Sequence, residues 1–398
     1  MVSRLNLNKK MKNKILWGIF FLFMKTFLTP LGGKSLPDSL ITIENVYVFS
    51  ISNPEKSQAI IDRLREVGDE KLALPFELDW AQADLFFNTS KFRLASFYYE
   101  KVKEYEEVKS NRKFQMGLLS TLLECYRNNN DLEKTMKTAL NLLKIAEEET
   151  LKDEMGRSYM YMADVFYAHK DKVQAHKYYE LAESLLQEAG NIHYLYQFYI
   201  SYAGILFSEG LYKEALEKVI KGGELLPDVA ADPYMTNEGY DDFEYCRFNA
   251  FAANVYMKSG EIAKAQASYE DFLTREMSSL VENKILIVPY LLTIKAYKEA
   301  LSIAHEREKQ LRQQTDTIGD NMISVKNYLY TAYYGLGDKE RAIAALNEQL
   351  AIAEQLRTRQ LNTETQELAV IYETEKKEVA LQQKVAEADW HKKLSYTS

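Results

Sequence analysis

The side chains best suited to chemistry are few and scattered. Five histidines, His169, His176, His193, His305 and His391, are the side chains whose ordinary titration lies near neutrality. His169 and His176 stand seven residues apart and can share one helical face, but no third or fourth ligand stands at metal spacing. Cys125 and Cys246 are too few for a disulfide framework or a metal cluster and read as two buried free thiols. The chain has no His-Glu-x-x-His, no phosphate-cradling glycine loop and no nucleophile-elbow serine. Gly335 and Gly337 bracket a turn and do not follow a strand. The expectation is therefore a protein that is not an enzyme, with no catalytic residues, no metal and no cofactor.

Binding chemistry is what remains, and the element that must position it is a ladder of small residues. Ala95, Thr135, Ala175 and Ala215 recur every 40 residues, each opening the second helix of a helical hairpin. Ala83, Leu123, Ala163 and Ala203 precede them by twelve, each followed three residues later by Phe86, Tyr126, Phe166 or Leu206. A fixed period of this length marks a stacked repeat protein, in which each hairpin buries its apolar face against the next. With 7 prolines and 16 glycines in 398 residues, and 46% hydrophobic residues, long helices around a continuous core are expected. The ladder stretches to 50 residues at Ala265, contracts to 35 at Ala300 and recovers to 42 at Ala342.

Bulky, small and aromatic residues along the first helix, a turn glycine (Gly210), alanines along the second, and a closing Pro227 resemble the tetratricopeptide repeat. The resemblance implies an all-α, tetratricopeptide-type α-solenoid, a right-handed superhelix of hairpins. Leu123 and Thr135 are bulkier than the motif's small residues, and the period is longer than usual, which predicts longer helices between short turns. The expected organisation is an incomplete capping hairpin over residues 36–74, about seven repeats over 75–350, and a long helix with a frayed tail over 351–398. Residues 228–244, rich in acids with Pro233 and Gly239, lack the alternating register of a calcium loop and read as a solvated insertion.

In such a stack the inner curved surface is built from first helices. Trp80, Asp84, Glu124, Arg127, Asp164, Tyr167, Asn254 and Tyr334 neighbour the packing positions and are the candidate groove residues. Rings that stack and carboxylates that accept hydrogen bonds suit a peptide, carbohydrate or protein ligand. Outside residues 1–35 the net charge is about −15, and with no basic stripe this surface repels a phosphate backbone. Direct nucleic-acid binding is not expected.

Residues 1–35 carry seven basic side chains and no acid. Residues 15–24 are apolar apart from Gly18, and Gly32, Gly33 and Ser35 follow. This order reads as a secretory signal peptide, with an uncleaved N-terminal anchor as the alternative. The run is well short of the ~20 residues that span a bilayer. The mature chain is accordingly expected outside the cytoplasm, in a periplasm, or held in the inner membrane by this segment. A cytosolic co-chaperone is the reading if residues 15–24 are structural.

No proline or glycine interrupts residues 340–394, which read as one long helix. Leu361, Leu368, Tyr372 and Val379 form a partial seam, broken at Glu375 and Gln382, that makes a coiled-coil homodimer a candidate. Within this helix, Glu367-Leu368-Ala369-Val370-Ile371-Tyr372-Glu373-Thr374-Glu375-Lys376-Lys377-Glu378 resembles a juxtamembrane signature of Bacteroidota regulators. In that family periplasmic tetratricopeptide repeats precede this helix, a membrane span, and a LuxR- or AraC-type helix-turn-helix or histidine kinase output. The resemblance implies a membrane-associated sensor for signal transduction and transcription regulation. Residues 386–398 are too short and polar to span a membrane, so the output module is expected to be missing from this chain. The alternative is a secreted or periplasmic scaffold for protein–protein interaction, without signalling.

Overall fold

The computed structural model describes residues 37–231, 240–313 and 317–395. The basic and apolar segment read as a signal peptide lies outside these residues. The chain divides into two compact units, residues 1–138 with 358–398, and residues 139–357.

All regular structure among the described residues is helical, in antiparallel hairpins of the tetratricopeptide type. In the first unit α1 (Ile43–Ser52) pairs with α2 (Pro54–Val67), and α3 (Pro75–Asn88) pairs with α4 (Phe92–Lys103), before α5 (Arg112–Asn128). α6 (Leu132–Glu148) begins in this unit and ends in the other. The second unit continues with α7 (Lys152–Ala168) on α8 (Lys172–Ala189), and α9 (Ile192–Ser208) on α10 (Tyr212–Ala230). It goes on with α11 (Tyr240–Lys258) on α12 (Ile262–Thr274), a short α13 (Val288–Thr293) on α14 (Tyr297–Gln313), and α15 (Asp320–Gly335). The terminal helix α16 (Lys339–Ser395) runs 57 residues. Its residues up to 357 belong to the second unit and those from 358 to the first.

The ladder is written in the backbone as well as in the side chains. Five residues before each rung, one residue takes a left-handed conformation: Ser90, Asn130, Lys170, Gly210, Gly260, Lys295 and Gly337, with φ between 54° and 86°. The following N–H reaches back across the turn, as in Lys91 N to Phe86 O at 2.9 Å and Asp171 N to Phe166 O at 3.0 Å. This left-handed closure satisfies carbonyls that the helix end leaves open. It then places the rung where its amide bonds the first carbonyl of the new helix, as Ala175 N does to Asp171 O. The same turn closes the seven hairpins from α3–α4 to α15–α16 although the intervals between rungs vary.

At the rungs the helices touch. Ala83, Ala95, Ala163, Ala175, Ala203, Ala215, Ala253, Ala265 and Ala300 have no exposed surface. Thr135 occupies a rung by sending its hydroxyl back to Asp131 O at 2.8 Å, so its extra polar atom costs no unpaired group. Rings fill the space between hairpins: Tyr179 lies 4.6 Å from Tyr202, centroid to centroid, inside a core that also holds Phe198 and Tyr199.

Two expectations need correction. Pro227 does not close its repeat, because α10 carries it internally and continues to Ala230. The acidic stretch 228–244 is not one solvated loop. Its first three residues finish α10 and α11 starts at Tyr240, while Glu244 is buried and accepts hydrogen bonds from Arg247 at 3.1 Å and Tyr196 at 3.3 Å. Residues 232–239 lie outside the described residues.

A lysine at positive φ carries a steric cost of about 1–2 kcal/mol that glycine escapes. Lys170→Gly is therefore expected to stabilise the fold by up to about 1 kcal/mol after the entropy glycine adds to the unfolded chain. Chemical denaturation compares it with wild type, and a loss of stability would contradict this account of the turn. Gly156 on α7 is the opposite case. A Cβ there would meet Leu186 Cγ at 2.7 Å and the Ala182 carbonyl at 3.2 Å, so Gly156→Ala should destabilise by about 1–2 kcal/mol despite better helix propensity.

Candidate ligand-binding surface

The eight candidate residues fall four to each unit. In the first unit Trp80 and Asp84 stand one turn apart on α3. Trp80 is half-buried with its ring edge-on to Phe114 at 5.9 Å, and Asp84 accepts a hydrogen bond from the Tyr99 hydroxyl of α4. On α5 the Glu124 carboxylate takes a bond from Arg127 at 3.0 Å, and Arg127 is exposed.

In the second unit Asp164 on α7 accepts from Tyr179 of α8 at 2.5 Å, and the Tyr167 hydroxyl lies 3.2 Å from Ser208 Oγ. Asn254 is buried, its amide oxygen taken by the Thr293 hydroxyl at 3.0 Å. Tyr334 is 63% exposed, with its ring 6.1 Å from that of Tyr330.

Asp84–Tyr99 and Asp164–Tyr179 are one arrangement used twice. Each acid follows a first-helix alanine, and each tyrosine stands one turn beyond a rung. Burial, and then the neighbouring carboxylate, pushes both phenols well above the ordinary tyrosine value, so each remains a hydroxyl donor. The acids are thus structural toward their own hairpin.

Other charged groups have no local sequence signal, because their partners are distant in the chain. Asp79, nearly buried, takes Arg65 at 2.7 Å and the Tyr105 hydroxyl at 2.9 Å, with Lys101 at 3.6 Å. Glu183 takes Lys218 at 2.6 Å and Lys221 at 2.8 Å. His176 of α8 lies 3.0 Å from the Tyr202 hydroxyl and 3.2 Å from Glu209, while His169 caps α7 at the exposed surface. No group of three or more metal-binding side chains forms among the described residues. Cys125 and Cys246 are buried and free; burial pushes the Cys246 thiol up to about 12 and Cys125 further, so neither is a thiolate at neutral pH.

Along α14 a shallow cavity of about 430 Å³ is lined by His305, Glu308, Lys309, Arg312 and Gln313. At its edge Glu308 bonds Arg312 at 2.7 Å and the buried Lys326 at 2.8 Å, and Lys326 also meets Glu348 of α16. Burial pushes the Glu308 carboxyl up, but bonds from Lys326 and Arg312 outweigh this and hold it below the ordinary glutamate value.

No protein-family model matches the chain, and no curated protein matches it. Among solved structures it is similar to a Rap protein complexed with competence and sporulation factor, at 14% identity over 82% of this chain and 90% of that one, with a TM-score of 0.53. It is also similar to the apo form of the quorum sensor NprR from B. thuringiensis, at 13% identity over 78% of this chain and 88% of that one, with a TM-score of 0.57. At such identities the likeness is one of fold.

A lowered folded-state pKa contributes stability above the ordinary value of 4.5 that is lost as pH falls through the folded value. Lys326→Met removes a bond that lowers Glu308. The variant should be less stable than wild type at neutral pH and lose stability less steeply below pH 4.5, as read by denaturation across pH. Parallel curves for the two proteins would show that Lys326 does not tune Glu308.

Proposed function

We propose that this chain is a non-enzymatic ligand- or protein-binding repeat module, the sensor region of a membrane-associated bacterial regulator. Residues 75–350 bind and residues 351–398 transmit. The single observation that carries the reading is the fold shared over about four fifths of the chain with a Rap protein in complex with competence and sporulation factor and with the quorum sensor NprR. The first-helix groups add chemistry to it. In the first unit Arg127 offers a cation, Asp84 a carboxylate and Trp80 a ring; in the second unit Asp164 offers a carboxylate, and Tyr167 and Tyr334 offer rings for stacking.

A short peptide fits these groups best, because backbone N–H groups meet carboxylates and carbonyls meet arginine while side chains pack on rings. A carbohydrate is the second ligand class. The basic and apolar N-terminal segment supports an extracytoplasmic or inner-membrane location. No helix among the described residues is long and apolar enough to cross a membrane. Leu361, Leu368, Tyr372 and Val379, each 48–65% exposed, leave an apolar seam that suits a homodimer in a sensor or a protein partner in a scaffold.

Pools of random hexapeptides and of oligosaccharides, titrated onto the full chain and followed by thermal shift, test the proposal. A binding peptide is expected, with at least about tenfold weaker binding in Arg127→Glu or Tyr167→Ala, a loss of about 1.4 kcal/mol. No ligand in either pool, or binding indifferent to both substitutions, would contradict placement of the site on the first-helix face.

A further inference from the structure

Within the first unit, α16 meets the first clear repeat through charge. Glu364 places a carboxylate oxygen 2.8 Å from Arg93 Nη2, and both side chains are partly withdrawn from solvent. Arg93 stands in the first turn of α4. That helix has no acidic residue in its first turn, and its N-cap, Lys91, makes no side-chain capping bond. The first turn and cap of α4 thus supply no carboxylate of their own, and a carboxylate is the group that a helix N-terminus favours. Lys91 Nζ lies 5.9 Å from the Phe86 ring centroid, so the edge is basic with an aromatic floor. On α16, Glu364, Glu367, Ile371 and Thr374 follow helical spacing and all four are half-buried. The exposed seam of Leu361, Leu368, Tyr372 and Val379 lies about 100° further round the same helix.

The two acids are not equivalent. Glu364 is paired. Glu367 has its carboxyl pushed above the ordinary value by burial, with Arg93 and Lys91 lowering it less than burial raises it, and Glu364 adding to the rise. One acid holds the helix down and the other resists dehydration there.

We propose that the edge formed by Lys91 and Arg93 is a docking site for an acidic helical segment, and that residues 361–374 of α16 occupy it while no ligand is bound. Docking of this kind is weak by design. An ion pair at such exposure shifts a docked-to-undocked ratio by about fivefold at most. Glu367 subtracts from that. A ligand that presents its own carboxylate to Arg93, or that moves α4 slightly, can therefore displace the helix. The inference deepens the sensor reading by naming the contact that ligand binding would break, and it rests on that reading only for the word ligand.

Hydrogen exchange over residues 358–374 of the full, ligand-free chain tests it. Arg93→Glu and Glu364→Arg should each speed exchange about two- to fivefold, and the double exchange of charge should return it toward wild type. Glu367→Gln should slow it. Unchanged exchange in residues 37–130 certifies that each variant is folded, and Glu364→Gln, which removes only a charge, serves if a reversal fails that check. Single reversals that leave the helix unchanged, or a double variant as fast as the singles, would overturn the proposal. Because no ligand is present, that failure leaves the binding reading to stand or fall on the peptide titration.

Discussion

Contact between two helices at an alanine is the constraint on which the rest depends. Nine first- and second-helix alanines have no exposed surface, and an added methylene or more at such a point typically costs about 1–3 kcal/mol. Helices can meet that closely only if the chain reverses in the same way each time, which the left-handed turn residue five positions before each rung provides. Close helices leave wedge-shaped gaps between hairpins, and tyrosines and phenylalanines fill them. Buried tyrosines in turn require partners for their hydroxyls, and Asp84 and Asp164 supply them from the first-helix face. These first-helix acids are thus a consequence of the packing.

In the proposed reading the helical stack binds through groups that its own packing has fixed. Its polar groups are fixed acceptors, donors and rings, held by neighbours that keep tyrosines and cysteines protonated. In the proposed reading the frame presents a constant pattern of groups, and its occupancy is coupled to the terminal helix. The terminal helix is far longer than a repeat needs, and its contact at Arg93 and Glu364 is a half-buried ion pair rather than a core.

Much of the fold was legible because the small residues report directly on helix contact. The interval of 40, the turn glycines Gly210, Gly260 and Gly337, and the uninterrupted terminal helix could be read from residue types alone. Ser90, Lys170 and Lys295 could not, because turn conformation at these positions is imposed by the flanking helices against the residue's own preference. Pro227 misled for a similar reason, since packing around α10 carries the helix past a residue that normally ends one. The candidate surface was legible in register but not in detail. Spacing locates Asp84, Asp164 and Asn254 beside packing positions, yet only coordinates reveal that Asn254 is taken up by Thr293, or that Glu183 and Glu308 gather lysines from other helices. Partners separated by tens of residues leave no periodic trace.

In the proposed reading a helical-repeat binding surface is coupled to a docked terminal helix, and one observation addresses both. Hydrogen exchange across the whole chain, measured before and after saturation with a peptide selected by binding, should show slower exchange around Arg127, Tyr167 or Tyr334 together with altered exchange over residues 358–374. Protection of the first helices with the terminal helix unchanged would contradict a sensor and leave a scaffold.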